Sequence, residues 1–343
     1  MSIPSPVRLG LIGSGWIGAF HAESIARRIP DTELVAVADP VPGAAERVAG
    51  PLGVAQTYLD AADLIADPAV EGVVISSPAF THTDLVVAAA EAGKAVFVEK
   101  PMALTLEDAD RAITAAASAG VPLQVGFNRR YASDFAAAHR LVRDGRVGTP
   151  QLLRSLTRDP GLADPGAVKP WTIFNETLIH DFDTLNWFNA GARPVEVVAL
   201  ADALVAPEFK ASGLLDTAVV TIRYDNGALA VAEANFSAVY GYDIRGEIFG
   251  SAGMVTAGDI HATSARYFSA EGASAETTRL NIDLFRQAYT DELASFAGAV
   301  RSRAVTGARG EDARAALALA LACRASIEQG AVVRLGADGR VTA

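Results

Sequence analysis

The sequence is poor in the features that mark several large classes of protein. Its only cysteine is Cys323, so no disulfide can form within the chain, and we expect a reducing, cytoplasmic location. A net charge of -11 leaves no basic excess of the kind that attracts nucleic acid or an anionic membrane. No apolar run reaches membrane-spanning length, and the glycines and prolines near the start argue against a signal peptide. These absences favour a protein whose partners are small molecules.

Aromatic residues are also scarce, at 7% of the chain, whereas half of the 343 residues are hydrophobic and alanine is abundant. Such a composition suits helices that pack closely on sheets, and the length predicts two domains. The sequence contains no internal repeat and no low-complexity tract.

Over residues 1–125, short and fully apolar strands alternate with helical segments. The predicted strands lie in the stretches VRLGLIG, ELVAVAD, VEGVVISSP, KAVFVEKP and VPLQVGFN. This alternation is typical of a parallel sheet that is covered by helices on both faces. We therefore predict an α/β fold that begins with a Rossmann domain, a doubly wound parallel sheet, over residues 1–125.

Beyond residue 126 the pattern changes to strands joined by tight turns. Asp225, Asn226 and Gly227 lie between two such strands and predict a β-hairpin. Two helices, around 283–302 and 310–329, follow the strands. The second domain, 126–343, is therefore predicted to be α+β with a mostly antiparallel sheet.

The stretch GLIGSGWIG places Gly13, Gly15 and Gly18 in the spacing of dinucleotide-binding turns, directly after a strand and at the start of a helix. In such a turn Gly13 permits the tight bend and Gly15 lets the backbone approach the pyrophosphate, while Gly18 lets the helix pack close to the strand. An unrelated tight turn could carry the same spacing. The strand before it and the helix after it are what indicate a nucleotide site.

Asp39 ends the second strand, about 20 residues after the last of these glycines. A carboxylate at this place accepts hydrogen bonds from the ribose hydroxyls of NAD and repels the 2′-phosphate of NADP. No arginine follows directly, since residues 40–42 are Pro-Val-Pro. We predict NAD rather than NADP; the alternative is that Asp39 only caps the turn before Pro40.

The third and fourth strands end in polar or charged residues, at the edge where parallel sheets bind ligands. Lys100 follows an apolar strand, and Pro101 favours an extended backbone before it. We expect its ammonium to lie near the cofactor, partly removed from water, as suits proton transfer; the alternative is a surface lysine. His82 is expected to cap or pack the following helix near the cofactor. The residues predicted to bind the cofactor are Gly13, Gly15, Trp16, Ile17, Gly18, Asp39, Ser76, Ser77, Pro78, His82, Glu99 and Lys100.

The stretch FNETLIHDFDTLNWF at 174–188 predicts an amphipathic helix. Its apolar stripe consists of Phe174, Leu178, Phe182 and Leu185. Glu176, His180 and Asp183 form a second stripe, on the opposite side, which would ordinarily face water. These three side chains could also reach a divalent ion, but no second histidine lies at ligand spacing. We therefore predict no metal.

Taken together and in this order, GSGWIG, EKP and ETLIH resemble the pattern of the Gfo/Idh/MocA oxidoreductase family over nearly the whole chain. Further similarity lies in SSPAFTH, GFNRRY and AYTDELASFAGAV, and the stretches ETLIHDFDTLNW and VYGYDIRGEIFG are most similar to those of inositol 2-dehydrogenases. The resemblance implies that the second domain has a large open sheet. One face would carry the substrate site, lined by the polar stripe of the helix, and the other would mediate assembly into a dimer or tetramer.

The resemblance also implies an NAD-dependent dehydrogenase that oxidises a secondary hydroxyl of a polyol or sugar ring. Either His180 or Lys100 would take the hydroxyl proton, with His180 as the candidate base and Lys100 stabilising the developing negative charge. Glu176, where inositol dehydrogenases usually have Asp, would orient the ring hydroxyls. The side-chain nitrogens of Lys100 and His180 would converge on one ring carbon. The other residues expected to bind substrate are Arg129, Asp183, Tyr240 and Tyr242.

Two other functions stay open at the level of sequence. A family member that retains its nucleotide could catalyse a net isomerisation or a redox-assisted glycoside cleavage. Other members are non-catalytic sensors of nucleotide or sugar. The presence of both Lys100 and His180 argues against a sensor, because a sensor needs neither.

Overall fold

The computed structural model describes residues 5–342, and the chain divides into two compact units. One contains the chain up to Tyr131 together with Gln287–Arg314, and the other contains Ala132–Arg286 and the chain from Ala315 onward. The division predicted from sequence, 1–125 and 126–343, therefore differs in two respects. It placed the boundary after residue 125, whereas the first unit continues to Tyr131. It left Gln287–Arg314 in the second domain, whereas this segment belongs to the first unit.

The first unit is built on six parallel strands in the order β3-β2-β1-β4-β5-β6. The strands are β1 Val7–Ile12, β2 Thr32–Ala38, β3 Gln56–Tyr58, β4 Gly72–Ile75, β5 Ala95–Glu99 and β6 Leu123–Gly126. The helices between them are α1 Trp16–Arg27, α2 Ala44–Ala49, α3 Ala61–Ala66, α4 His82–Glu91 and α5 Leu106–Ala119. The predicted doubly wound parallel sheet is confirmed, with β3 as an additional edge strand. The order reverses between β1 and β4, and a crevice for ligands forms beyond the carboxyl ends of such strands.

A late helix completes the core of this unit and explains the assignment of Gln287–Arg314. The helix spans Asn281–Ser302, and its buried residues Leu293 and Phe296 pack with Val37 and Phe97 of the parallel sheet. These contacts bury apolar surface that the sheet would otherwise expose. The segment therefore belongs to the first unit although it follows the second in sequence.

The second unit is built on a mixed eight-stranded sheet in the order β12-β11-β7-β10-β9-β8-β15-β16. Its strands, with the separate β13-β14 hairpin, are β7 Pro150–Arg158, β8 Pro194–Asp202, β9 Thr217–Tyr224, β10 Leu229–Asn235, β11 Asp243–Gly250, β12 Gly253–Ala257, β13 Tyr267–Ser269, β14 Gly272–Ser274, β15 Val333–Leu335 and β16 Val341–Thr342. The remaining α-helices within the described residues are α6 Ser133–Arg143, α7 Leu178–Phe188, α8 Asn281–Ser302 and α9 Gly310–Gln329. All pairings in the sheet are antiparallel except that of β7 with β10, so the predicted mostly antiparallel sheet is confirmed.

The eight-stranded sheet is covered on one face and open on the other. Helix α7 packs on β7 and β10, and residues alternate along β9, with Val220 and Ile222 buried and Val219 exposed. The predicted hairpin at Asp225–Gly227 joins β9 to β10, and Gly227 adopts the left-handed backbone that this turn requires, with φ of 89°. Among residues 5–342, no helix is long and apolar enough to cross a membrane.

Candidate active site

The glycine turn after β1 is fixed by close backbone approaches that only glycine allows. Gly13 has φ of 93°, and a Cβ at this residue would lie 2.6 Å from the amide nitrogen of Ser77. A Cβ on Gly18 would lie 2.1 Å from the carbonyl oxygen of Gly13. The hydroxyl of Ser76 donates to that same oxygen at 2.9 Å. Gly13 and Gly18 are therefore required by the fold itself. Ser76, which follows β4, stabilises the glycine turn that follows β1.

Gly15 is different, because a Cβ at this position would meet nothing within 4 Å and its backbone angles are φ -65° and ψ -169°. The protein alone gives no reason for glycine here, whereas a ligand that approaches the backbone would. Helix α1 begins at the next residue with no side-chain cap and no acidic residue in its first turn. Its N-terminus therefore keeps the partial positive charge that attracts a pyrophosphate. This turn fits NAD, and the side chain of Trp16 beside it is 63% exposed.

The contrast between Gly15 and Gly18 gives a paired prediction. Gly15→Ala should leave the folded protein intact but weaken NAD binding about tenfold or more, since the new methyl group occupies open space needed by the cofactor. Gly18→Ala should instead lower the free energy of unfolding by about 1–3 kcal/mol through overpacking. Urea unfolding and titration calorimetry with NAD measure the two effects. Equal loss of stability in both variants would contradict the assignment of Gly15 to a ligand.

Asp39 both caps a turn and faces the glycine loop. One carboxylate oxygen accepts hydrogen bonds from the amide and hydroxyl of Ser14, at 2.8 and 2.7 Å, and the other accepts from the amide of Val41 at 2.9 Å. Burial by itself would raise the pKa of Asp39, but these hydrogen bonds and the charge of Arg47 outweigh it and lower the pKa. Asp39 is therefore an anion held against the glycine turn. The oxygen that accepts from Val41 retains a lone pair for a ribose hydroxyl, whereas the oxygen bonded to Ser14 already accepts two hydrogen bonds.

His82 links the two loops that follow β4 and β5. It is buried, and its ring nitrogens lie 2.8 Å from the carbonyl oxygens of Ser77 and Pro101. Burial lowers the pKa of His82, although both carbonyls and the charge of Glu99 oppose that shift. His82 therefore bridges the Ser77 loop and the Lys100–Pro101 loop. Its place near the cofactor stays a prediction.

Glu99 and Lys100 end strand β5, and their environments differ. The Glu99 carboxylate is buried, 2.7 Å from Nε2 of His21, and its second oxygen accepts from the backbone amide of Lys100 at 3.2 Å. Sequence reasoning placed Glu99 at the cofactor and gave no role to His21 or to Glu292 of α8. The sequence features that point to them are His21 within AFHAES and Glu292 within AYTDELASFAGAV.

The helix that carries the predicted acid–histidine pair is not α-helical throughout. A π-helical turn at Ile173–Thr177 precedes α7, so Glu176 lies in the π turn and His180 in the first turn of α7. A π turn holds more residues than an α turn, so the predicted rotation of 100° per residue does not apply between them. Glu176 is exposed, His180 is partly buried, and Asp183 is 1% exposed. The polar stripe is therefore not a uniform solvent-facing surface.

Asp181, which sequence reasoning left without a role, anchors this helix to the sheet. Its two oxygens accept hydrogen bonds from the hydroxyls of Ser155 and Thr157 on β7, at 2.5 and 2.6 Å. All three residues are buried. Because charge-assisted bonds to a buried carboxylate are strong, they fix the position of α7 and hence of His180 within the second unit.

The remaining predicted substrate residues lie in distinct surroundings. Arg129 is buried in the first unit. In the second unit, Tyr240 lines a cavity of about 340 Å³ with Arg158 and Asp243, and its hydroxyl donates to Asp243 at 2.8 Å. Burial and the charge of Asp159 raise the pKa of Tyr242 to about 12, so Tyr242 is a neutral hydrogen-bonding group.

Comparisons with known proteins identify the family of this chain. Residues 7–127 match the model of the Gfo/Idh/MocA oxidoreductase family with its NAD-binding Rossmann fold, and residues 135–256 match the model of a Gfo/Idh/MocA C-terminal domain. The chain is 37% identical to myo-inositol 2-dehydrogenase of Thermotoga maritima, over 96% of this chain and 98% of that protein. It is 34% identical to scyllo-inositol 2-dehydrogenase (NAD(+)) of Bacillus subtilis, over 96% of each.

The fold agrees with a solved structure of such an enzyme. Scyllo-inositol dehydrogenase of Lactobacillus casei, with bound NAD(H) and scyllo-inositol, matches with a TM-score of 0.92 at 27% identity, over 96% of this chain and 99% of that one. These findings confirm the predictions of family, of an NAD-binding Rossmann domain and of an oxidoreductase. The chain is a member of the Gfo/Idh/MocA oxidoreductase family.

Proposed function

We propose that this protein is an NAD-dependent dehydrogenase that oxidises a secondary hydroxyl of an inositol-like cyclic polyol to a ketone. The observation that carries the proposal is the position of Lys100, which directly follows β5 and so lies at the same carboxyl edge of the parallel sheet as the glycine turn after β1. The names of relatives that are 34–37% identical over nearly the full length support the substrate class. Asp39 supports NAD over NADP, because its lowered pKa keeps it anionic at the predicted ribose position.

The side chains divide the reaction between them. Oxidation breaks the C–H bond and the O–H bond of one carbinol and forms C=O; NAD, when bound, supplies the acceptor for the hydride. His180 takes the hydroxyl proton. The Lys100 ammonium donates a hydrogen bond to the same oxygen and stabilises its developing negative charge. Glu176, Asp183 and Arg129 bind the other ring hydroxyls.

A substrate panel tests this function. We expect myo- and scyllo-inositol to give absorbance of reduced nicotinamide at 340 nm, with turnover of about 1 s⁻¹ or more, and NADP to react far more slowly than NAD. Aldoses in the same panel serve as the matched alternatives. Stoichiometric release of NADH would exclude the second candidate, a net isomerisation or glycoside cleavage with retained nucleotide. No reduction of NAD with any polyol or sugar would contradict the proposal and favour a sensor.

We further propose that the open face of the eight-stranded sheet binds a second copy of the chain, giving a dimer or, through further contacts, a homotetramer. Strand register puts exposed apolar side chains in one row across four strands: Met254, Phe249, Leu152 and Leu229. Leu200 and Val219 form a second exposed pair on β8 and β9. Exposed apolar rows of this extent usually mark an interface. Light scattering of the purified protein tests this, and a monomer at micromolar concentration would contradict it.

A cytoplasmic location is proposed as well. It is supported by the single cysteine, Cys323, which is buried and reduced. Fractionation of the source cells followed by immunodetection tests this, and recovery outside the cytoplasm would contradict it.

A further inference from the structure

Three titratable side chains meet in the interior of the first unit. His21 of α1, Glu99 at the end of β5 and Glu292 of α8 are all buried, and their nearest ligand-type atoms lie within 4.8 Å of one another. Glu292 is fully buried, and within residues 5–342 neither of its carboxylate oxygens has a hydrogen-bond partner. A buried carboxylate without a partner is costly, so this side chain requires an explanation.

The charges in this cluster are unequal. Burial, followed by the negative charge of Glu99, raises the pKa of Glu292 well above its usual range, which favours its protonated form. Burial acts on Glu99 in the same direction, but the hydrogen bond and charge of His21, together with the charge of Lys100, outweigh it and lower the pKa of Glu99. The surroundings therefore favour the ionised form of Glu99 and the neutral form of Glu292.

The Glu99 carboxylate is hydrogen-bonded to the backbone amide of Lys100. One oxygen of Glu99 meets His21 at 2.7 Å, and the other accepts the Lys100 amide at 3.2 Å. The neighbouring strand closes on the same group, since a Cβ at Gly126 would lie 3.1 Å from Cδ and from Oε2 of Glu99. The Glu99 side chain is thus held on two sides, and it holds the residue that follows it.

We propose that His21 and Glu292 are positioning residues for Lys100, which together keep Glu99 as a single buried anion that fixes the Lys100 backbone and acts electrostatically on its ammonium. The inference rests on the catalytic role proposed for Lys100. His21 supplies the partner that a buried anion needs, and Glu292, by staying neutral, fills the space beside Glu99 without a second negative charge. The titratable groups that act on Glu99 are His21 of α1, Glu292 of α8, Lys100 itself and, across the loops, His82 of α4.

The unusual lysine content allows a direct test without substrate. The chain has only four lysines, Lys94, Lys100, Lys169 and Lys210, so reductive ¹³C-methylation gives few NMR signals, and Lys100→Arg assigns the one of interest. Glu99→Gln keeps an acceptor for the Lys100 amide but removes the charge. The titration of the Lys100 ammonium should then move to lower pH by roughly half a unit or more. The control Asp291→Asn, adjacent to Glu292 and bonded to Gln287, should leave the titration unchanged.

Glu292→Gln separates a neutral Glu292 from an ionised one. If Glu292 is already protonated, the amide is electrostatically equivalent and the Lys100 titration should stay within about 0.2 units of the wild-type value. A shift as large as that of Glu99→Gln would overturn the proposal. Because this variant replaces one neutral group by another of the same size, it should fold even if Glu99→Gln does not.

The pH dependence of thermal stability gives a second test of the protonation of Glu292. An acid whose pKa is raised on folding keeps its proton in the folded protein but loses it in the unfolded chain above about pH 4.3. It therefore destabilises the folded protein increasingly as pH rises toward its raised pKa. Glu292→Gln removes this penalty, so its Tm should exceed that of the wild type by more at pH 8 than at pH 5. Asp291→Asn should show no such widening, and a constant or narrowing difference for Glu292→Gln would contradict the inference.

Two results separate the positioning role of His21 and Glu292 from the catalytic role of Lys100 and from a metal site. Full activity of a Lys100 variant would remove the proposed catalytic role but leave the coupling of Glu99 to the Lys100 titration intact. Stoichiometric metal in the purified protein that disappears in Glu292→Gln would make the cluster a metal site and overturn the charge assignment.

Discussion

Lys100→Met is expected to lower kcat about 10³-fold, because it removes the one cation proposed to stabilise the negative charge that develops on the reacting oxygen. Methionine keeps most of the length and volume of lysine, so the end of β5 should be preserved. NAD should still bind with a Kd within about threefold of the wild type, since the glycine turn and Asp39 are untouched. Turnover is measured by NADH formation with the best inositol, and NAD affinity by calorimetry.

Lys210→Met is the matched control for this change. Its side chain is 62% exposed and pairs with Asp202 on the surface of the second unit, so an equal chemical change there should leave kcat within about twofold. If Lys100→Met retained a tenth or more of the wild-type kcat, electrostatic stabilisation by Lys100 would be excluded. If NAD affinity fell in parallel with kcat, Lys100 would instead act through cofactor binding.

Much of the first unit could be predicted because the composition of most of its strands is recognisable in the sequence. The stretches around β1, β2, β4, β5 and β6 are short and apolar, since their strands are buried on both faces. Strand β3 was missed because Gln-Thr-Tyr carries no such pattern. Its three residues form a strand only through pairing with Ala36–Ala38 of β2, and a pairing partner is not encoded locally.

The placement of α8 was missed for a related reason. Periodicity predicted a helix close to its observed bounds, but it could not say which sheet that helix covers. The answer depends on Leu293 and Phe296 meeting Val37 and Phe97, residues about 200 or more positions away in the chain. The order of segments along the chain favoured the second domain, and packing decided otherwise.

In the candidate site, too, features set by local sequence could be predicted, whereas contacts between distant elements could not. The three glycines and Asp39 follow a spacing that physical chemistry imposes on a nucleotide turn, and all could be found from sequence. The π turn at Ile173–Thr177 could not, because the spacing of apolar residues in the sequence does not distinguish a π turn from an α turn. The hydrogen-bond partners of Asp181 and of Glu99 could not be predicted either, because each partner lies on a different helix or strand.

His180→Ala is expected to lower kcat by about 10²- to 10⁴-fold, because the hydroxyl proton loses its acceptor. Added imidazole should restore part of the rate by occupying the vacated space, and the restored rate should rise with the concentration of its neutral form. His261→Ala is the control, since that histidine lies on the surface beside Asp259 and should neither lose activity nor respond to imidazole.

The His180 variant also decides between the two candidate bases. If His180 takes the proton, rescue acts on kcat and Lys100→Met is not rescued by imidazole. If Lys100 takes the proton, His180→Ala should chiefly raise KM through lost binding of the ring hydroxyls, and imidazole should have no effect. Both residues are proposed to act on the same step of the reaction, and this predicts a further result. The loss in the double variant should be well below the product of the two single losses, because groups that act on the same step are not independent.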